Sequence, residues 1–403
     1  MKMKKVALLL FMSLFCSSIL FAQNKKAKEP QPKEGFVFTT VKSHKITPIK
    51  NQSSTGTCWS FSGIAFLESE LLRMGKPECD LSEMFIVYHN YMEKALKYVR
   101  MQGKTNFAQG GAFADVFEVV KNVGIVPETE MKGLNYGEDK HKHGELSALT
   151  RAYVDAVIKN PNKRLSTAWF EGYKGILDAY LGKLPEQFIY DGISYTPKTF
   201  AASLGLNPDN YISLTSFTHH PFYSRFILEI EDNWRWKESY NIAIDELINT
   251  IDNAIDNGYT VAWGADISEK GFTRQGIGVV PDVDPNQIPA GTDEAKWIGL
   301  SQKEKDDLIY KVDGPVKEKK ITQELRQQSF DNYETTDDHG MLIFGIAKDQ
   351  NGNKYYMVKN SWGTDNKYKG IWYISEAYVR YKTTIISVHK DAIPNAIKAK
   401  IEL

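Results

Sequence analysis

Three residue types in this 403-residue chain could act together on a carbonyl: a cysteine at position 58, a histidine at 339 and an asparagine at 360. Cys58 stands in N-Q-S-S-T-G-T-C-W-S-F, at the passage from a loop into an apolar run, six positions after Gln52. A thiol attacks as its thiolate, which is favoured by the free N–H groups and positive pole of a helix start. A nearby imidazole deepens that preference, provided a third polar group holds the ring in place. His339, in D-H-G-M-L-I-F, lies at the entry of a strand, and Asn360, in K-N-S-W-G, at the far end of the strand that returns. A tight turn between them would bring the two together, so that the Asn360 carbonyl accepts from one ring N–H and the other ring nitrogen faces the thiol. The Gln52 amide, with the Cys58 backbone N–H, could then receive the oxygen that gains charge. Each residue alone has a plainer reading. Cys58 could be a buried hydrophobe or half of a disulfide with Cys79, His339 a strand-end histidine and Asn360 a turn former.

The chain has eight histidines, and those in polar stretches such as "KHKHGE" and "THHP" read as solvated surface residues. Spacing of apolar residues predicts a largely buried helix from about Cys58 to Leu72, ended by Gly75 and Pro77. A second helix is expected after Leu81-Ser82 with Ser82 as cap, and a third over Ala112 to Lys121. Residues 139–221 mix helical runs with polar breaks and show no catalytic pattern. A helical pattern resumes from Asp232 to Asn257, followed by a strand in YTVAWGAD and by surface loops between Lys270 and Lys320. MLIFGIAKD, a Gln350–Asn353 turn and KYYMVKNS form a hairpin signal, and GIWYIS and TTIISVH read as further strands.

Fifty basic residues balance fifty acidic ones without long blocks of either sign, so no nucleic-acid partner is expected. The opening MKMKKVALLLFMSLFCSSILFAQ has the order and length of a secretory signal, with cleavage expected near Ala22-Gln23; a single N-terminal anchor is the alternative. No later stretch is long and apolar enough to cross a bilayer. Export to a periplasm or out of the cell is the expectation. Removal of the leader takes Cys16 and leaves Cys58 and Cys79, too few for a disulfide framework.

Taken jointly, I-T-P-I-K-N-Q, C-W-S-F, H-G-M and N-S-W-G resemble the papain-like cysteine peptidases. His339 follows Cys58 by 281 residues, against roughly 130–150 in papain and cathepsins. That spacing, with LSEMFIVYHNYMEK, GGAFADVFEVVKNVGIVP and AIDNGYTVAWGADI, is similar to the bleomycin hydrolase and aminopeptidase C branch. The resemblance implies an α+β, two-lobed papain-like fold: a helical lobe, a β-barrel-like lobe and a large, mainly helical insertion. The expected organisation is a signal peptide at 1–22, a flexible leader at 23–40, a helical lobe with the nucleophile at 41–138, the insertion at 139–257, and the β-rich lobe with a C-terminal arm at 258–403. It implies peptide hydrolysis through Cys58, His339 and Asn360, with Gln52 in the oxyanion hole, Trp59 and Trp362 supporting, and neither metal nor cofactor. In that branch the C-terminal carboxylate holds the substrate's amine and subunits assemble into a ring, so aminopeptidase action and a homo-oligomer are expectations. The tail ending PNAIKAKIEL is short for that role. An endopeptidase of the same fold, an inactive peptide-binding relative and an acyl transferase are the other readings.

Overall fold

The computed structural model describes residues 35–282 and 312–403. The expected signal peptide, most of the leader and the 283–311 part of the expected loop region lie outside the described residues.

The chain enters through β1 (Thr39–Ser43) and passes to α1 (Cys58–Arg73), α2 (Glu83–Arg100) and α3 (Phe113–Asn122). Helix α1 is buried without interruption from Cys58 to Leu71. A helix with apolar residues on all sides is stable only when covered on all sides. Here α2 and α3 cover one flank and the sheet of the second lobe the other. Its polar members are satisfied locally: Ser62 and Ser69 donate to the carbonyls of Cys58 and Ala65, and Ser60 to Glu83 O. Glu68 accepts from Thr47 and from the Leu81 N–H. Ser82 caps α2 as expected, its hydroxyl accepting from Phe85 N at 3.0 Å.

Next come α4 (Gly144–Ile158), α5 (Ala168–Leu181), the hairpin β2 (Phe188–Tyr190) and β3 (Ile193–Tyr195), and α6 (Pro197–Leu204). Strands β4 (Tyr211–Thr215), β5 (Arg225–Ile227) and β6 (Glu238–Asn241) follow, then α7 (Ile244–Asp256), β7 (Val261–Ala265), β8 (Phe272–Thr273) and β9 (Ile277–Gly278). The last part holds α8 (Gln323–Asp331), β10 (His339–Lys348), β11 (Lys354–Lys359), β12 (Ile371–Ser375), α9 (Glu376–Lys382), β13 (Thr383–His389) and α10 (Asn395–Lys400). One sheet runs in the order β5-β6-β4-β13-β7-β10-β11-β12-β9-β8, with β1 paired to the far half of β10. One core lies among α1 to α6; the other lies between this sheet and α7, α9 and α10.

The sheet draws in more of the chain than expected. The end of the expected leader packs on the fold: Phe36 is buried, Phe38 stacks on Tyr373 at 3.9 Å, and β1 starts at Thr39. The insertion supplies β2 to β6 as well as helices. Its β2–β3 hairpin turns on Asp191-Gly192, both at positive φ, a D-G signal present in the sequence. The helix expected from Asp232 starts only at Ile244, because Asn233 and Asn241 use their side chains on loop carbonyls instead. Strands β8 and β9 replace part of the expected loop after Lys270. "KHKHGE" is not a solvated run either: His143 is fully buried against Tyr91 and His141 packs edge-on to Phe61.

Candidate active site

Cys58 is the first residue of α1 and is nearly buried. Thr57, just before it, does not cap the helix; its hydroxyl pairs with that of Thr55 at 2.6 Å. The positive pole of α1 is therefore left to the thiol. Cys79 is also free, its sulfur 3.8 Å from the Tyr190 hydroxyl, so the disulfide alternative is absent.

Strand β10 delivers His339 by lying across the start of α1. Gly340 permits that approach: a Cβ there would fall 2.6 Å from Ser62 Oγ and 3.4 Å from Trp59 Cα. The backbone of Gly340 also favours the Cys58 thiolate. The β10–β11 hairpin returns Asn360 to its place, and Asn360 Oδ1 lies 2.8 Å from His339 Nε2. That contact leaves Nδ1 as the ring nitrogen free for the thiol. Both residues are buried, and the Trp362 ring lies 4.8 Å from the imidazole, covering the pair. Phe272 and Trp372 pack on Trp362 in turn.

Gln52 is clamped between the lobes. Its Oε1 accepts from Ser361 Oγ at 2.6 Å, its Nε2 donates to Thr55 O at 2.8 Å, and its backbone N–H donates to Ser361 O. One Nε2 proton remains for another acceptor. Lys50, two residues earlier, anchors this loop on Asp80 and Glu83 at 2.6 and 2.7 Å. Trp59 is fixed by donation to Gln109 O.

Cys58 and His339 line one cavity with Gly111, Phe113, Ile230 and Ile385, and with two residues that sequence reading missed, Asp232 and Asp337. Burial pushes the Cys58 thiol up to about 12, with the nearby Asp232 and Asp337 adding to it, while N–H groups of Gly340 and Trp59 pull it down. Burial likewise lowers His339 to about 4, against the Asn360 hydrogen bond and the Asp338 charge. A lone charge on either group is thus disfavoured. Moving one proton from sulfur to imidazole creates both charges together, and their attraction in a water-poor site offsets the desolvation of each. Burial, against the Lys94 charge and with Asp115 and Glu231 adding like charge, raises Asp232 to about 6. Burial and the Asp232 charge raise Asp337 to about 7. Among the described residues no ion pair engages either carboxylate. Lys94, the nearest cation to Asp232, donates to Ala108 O and Gly110 O. Asp337 had no signal, for it lies just before β10 begins, where no strand period applies. Asp232 had none either, for it sits in a loop without periodicity.

Residues 36–170 match the family described as papain family cysteine protease, and residues 301–403 the peptidase C1-like family. Together the matches take in more than half of the chain. The chain is a papain-like cysteine peptidase. Over most of its length this peptidase is similar to "Cysteine proteinase 1, mitochondrial" of Saccharomyces cerevisiae strain JAY291, 21% identical across 92% of this chain and 80% of that protein. It is similar also to "Aminopeptidase G" of Lactobacillus delbrueckii subsp. lactis, 21% identical across 85% of this chain and 80% of that protein. Its fold matches the crystal structure of PepW from Lactobacillus rhamnosis HN001 with a TM-score of 0.67, at 19% identity, over 90% of this chain and 84% of that one.

The implied C-terminal arm takes another course. Ile397 and Ile401 are buried in the β-lobe core, Asn253 of α7 donates to Ala392 O, and Lys400 pairs with Glu246 of α7 at 2.6 Å. Leu403 is not among the residues that line the Cys58 cavity.

Proposed function

We propose that this peptidase is an exported aminopeptidase that cleaves through a thioester on Cys58. The observation that carries the exo mode is the pair Asp232 and Asp337 in the cavity beside Cys58: among the described residues neither carboxylate makes a direct ion pair, and Lys94 acts on Asp232 alone of the two, at a distance. Burying carboxylates unpaired is costly, and the cost is offset when a cation docks against them. A free peptide N-terminus is an ammonium with a usual pKa of roughly 7.7–8.0 and supplies that cation. These two side chains would thus do what a terminal carboxylate was expected to do. The name of the Lactobacillus aminopeptidase G relative agrees with this mode.

With the amine held, the first peptide carbonyl sits over sulfur. The Cys58 proton passes to His339, the thiolate adds to the carbonyl carbon, and the oxyanion takes hydrogen bonds from Gln52 Nε2 and the Cys58 N–H. Collapse breaks the C–N bond as His339 gives its proton to the leaving amine, and a thioester remains. His339 then takes a proton from water, whose oxygen releases the acyl group and restores the thiol. Asn360 keeps the ring oriented and Trp362 keeps water off that hydrogen bond. The signal-like opening of the chain supports export.

The test uses one peptide in free and N-acetylated forms. The reading expects cleavage of the free form alone, and Asp337→Asn raising its KM about tenfold to a hundredfold, the worth of one charge-assisted hydrogen bond. Equal cleavage of both forms by the unaltered protein would establish endopeptidase action. Retained turnover in Cys58→Ser would remove the thiol mechanism itself.

A further inference from the structure

Outside the catalytic cavity, the "THHP" stretch forms a second cluster with the chemistry of a site. His219 Nε2 lies 3.0 Å from Glu229 Oε2, and His220 Nε2 3.1 Å from Glu229 Oε1. The three ligand-capable atoms all fall within 4.8 Å of one another. Tetrahedral zinc with bonds near 2.0–2.2 Å sets its ligand atoms roughly 3.4 Å apart, inside that range. Two imidazoles and a carboxylate are borderline-hard donors, the set that zinc takes in sites with an open position. The side chains are 28%, 36% and 58% exposed, so a fourth, water ligand can enter from solvent.

The rings are held before any ion arrives. The His220 ring stacks on Phe226 at 4.2 Å, and the His219 ring on Phe330 at 5.8 Å with Phe226 at its edge. Behind His219, the nearly buried Gln327 presents its amide nitrogen 3.1 Å and its carbonyl oxygen 3.5 Å from Nδ1. Either tautomer therefore finds a partner. With the proton on Nδ1 facing the Gln327 oxygen, Nε2 offers its lone pair to a cation, which is how outer partners orient metal-binding histidines. Gln327 is fixed in turn by Thr218 N and Asp331.

We propose that His219, His220 and Glu229 bind a divalent cation of the zinc class, with Gln327 as the orienting partner of His219. None of its three ligands lines the Cys58 cavity, and no step of the reaction uses the ion. Its place in the fold gives it a structural task. Glu229 leads directly into Ile230 and Asp232, which line the catalytic cavity, and Gln327 belongs to α8. The ion would fasten the loop that carries this cavity wall to that helix.

The experiment is calorimetric titration of zinc chloride into the full-length, untagged, EDTA-treated Cys58→Ala protein, a background that removes the Cys58–His339 pair as a rival zinc site. One equivalent should bind, and the thermal midpoint should rise with zinc. His220→Ala and Glu229→Gln should each weaken binding at least about tenfold, and Gln327→Ala about 10–100-fold, as loss of an outer partner does. Circular dichroism in EDTA should show the Glu229→Gln protein folded like its parent. Lack of saturable one-to-one uptake would overturn the proposal. Undiminished uptake by both His220→Ala and Glu229→Gln would equally overturn it, since the ion would then sit elsewhere.

Discussion

Asp337 shows what one side chain in the cleft does to both binding and stability. Burial pushes its carboxyl up to about 7, with the charges of Asp232, Asp338 and Asp266 adding and a hydrogen bond from Thr384 opposing, and pushes that of Asp232 up to about 6, with Asp115 and Glu231 adding and Lys94 opposing. The anionic forms that would hold an ammonium are present above about pH 7 and are lost as the pH falls through 6. The KM for free peptides should therefore climb as the pH drops through that window, and a steady-state pH series should show Asp337→Asn with a higher KM and a flatter profile. Stability carries the opposite sign. A native pKa above the unfolded value means that the folded state binds more protons between about pH 4 and pH 7, so stability declines as the pH rises across that range. Asp337→Asn should then melt above the unaltered protein at pH 8 and level with it near pH 4. A lower melting point at pH 8 would show that the carboxylate is compensated after all. At this scale Cys58, His339, Asn360 and Gln52 could be singled out because each sits in a short, distinctive stretch, and the fold brings Cys58 and His339 to one cavity with Asn360 against the ring. Asp232 could not, because its loop meets the cavity only through tertiary packing.

The elements that matter most are α1 and the β10–β11 hairpin, because their contact brings sulfur and imidazole to one cavity. Both could be read from local pattern: the apolar run after Cys58, and two alternating stretches around a polar turn. What could not be read was how closely they approach, which depends on Gly340 against Ser62 and Trp59. Gly340→Ala should push β10 from α1 and cut kcat/KM by about a hundredfold, the effect of a misplacement near 1 Å. Ser62→Ala in the same chain, by removing the nearest obstructing atom, should restore part of that loss; no recovery would mean that the close contact is not what positions His339. The misplaced helix start at Asp232 has a similar origin. Asn233 and Asn241 can bond to loop carbonyls as well as sit in a helical period, and in this fold the loop bonds prevail.

On the scale of the whole molecule, the papain-like fold and the long segment between Cys58 and His339 followed from the order and spacing of four motifs. The strands within that segment did not, since β4, β5 and β6 are short and join the main sheet only through β4, whose partner β13 lies far along the chain. The course of the C-terminus was the other difference. With Ile397 and Ile401 buried and the chain end on α7, removal of Glu402 and Leu403 should leave the preference for free N-termini intact. A truncated protein that cleaves acetylated and free peptides alike would return amine recognition to the chain end. The account as a whole rests on an imidazole from one lobe activating a thiol on the other. The rate of iodoacetamide adduct formation at Cys58 near pH 7, read by peptide mass spectrometry beside Cys79 and compared with His339→Ala, tests it most directly. Rapid modification confined to Cys58 and largely lost in His339→Ala is the predicted result; a Cys58 that stays unmodified, or reacts equally fast without the histidine, would contradict it.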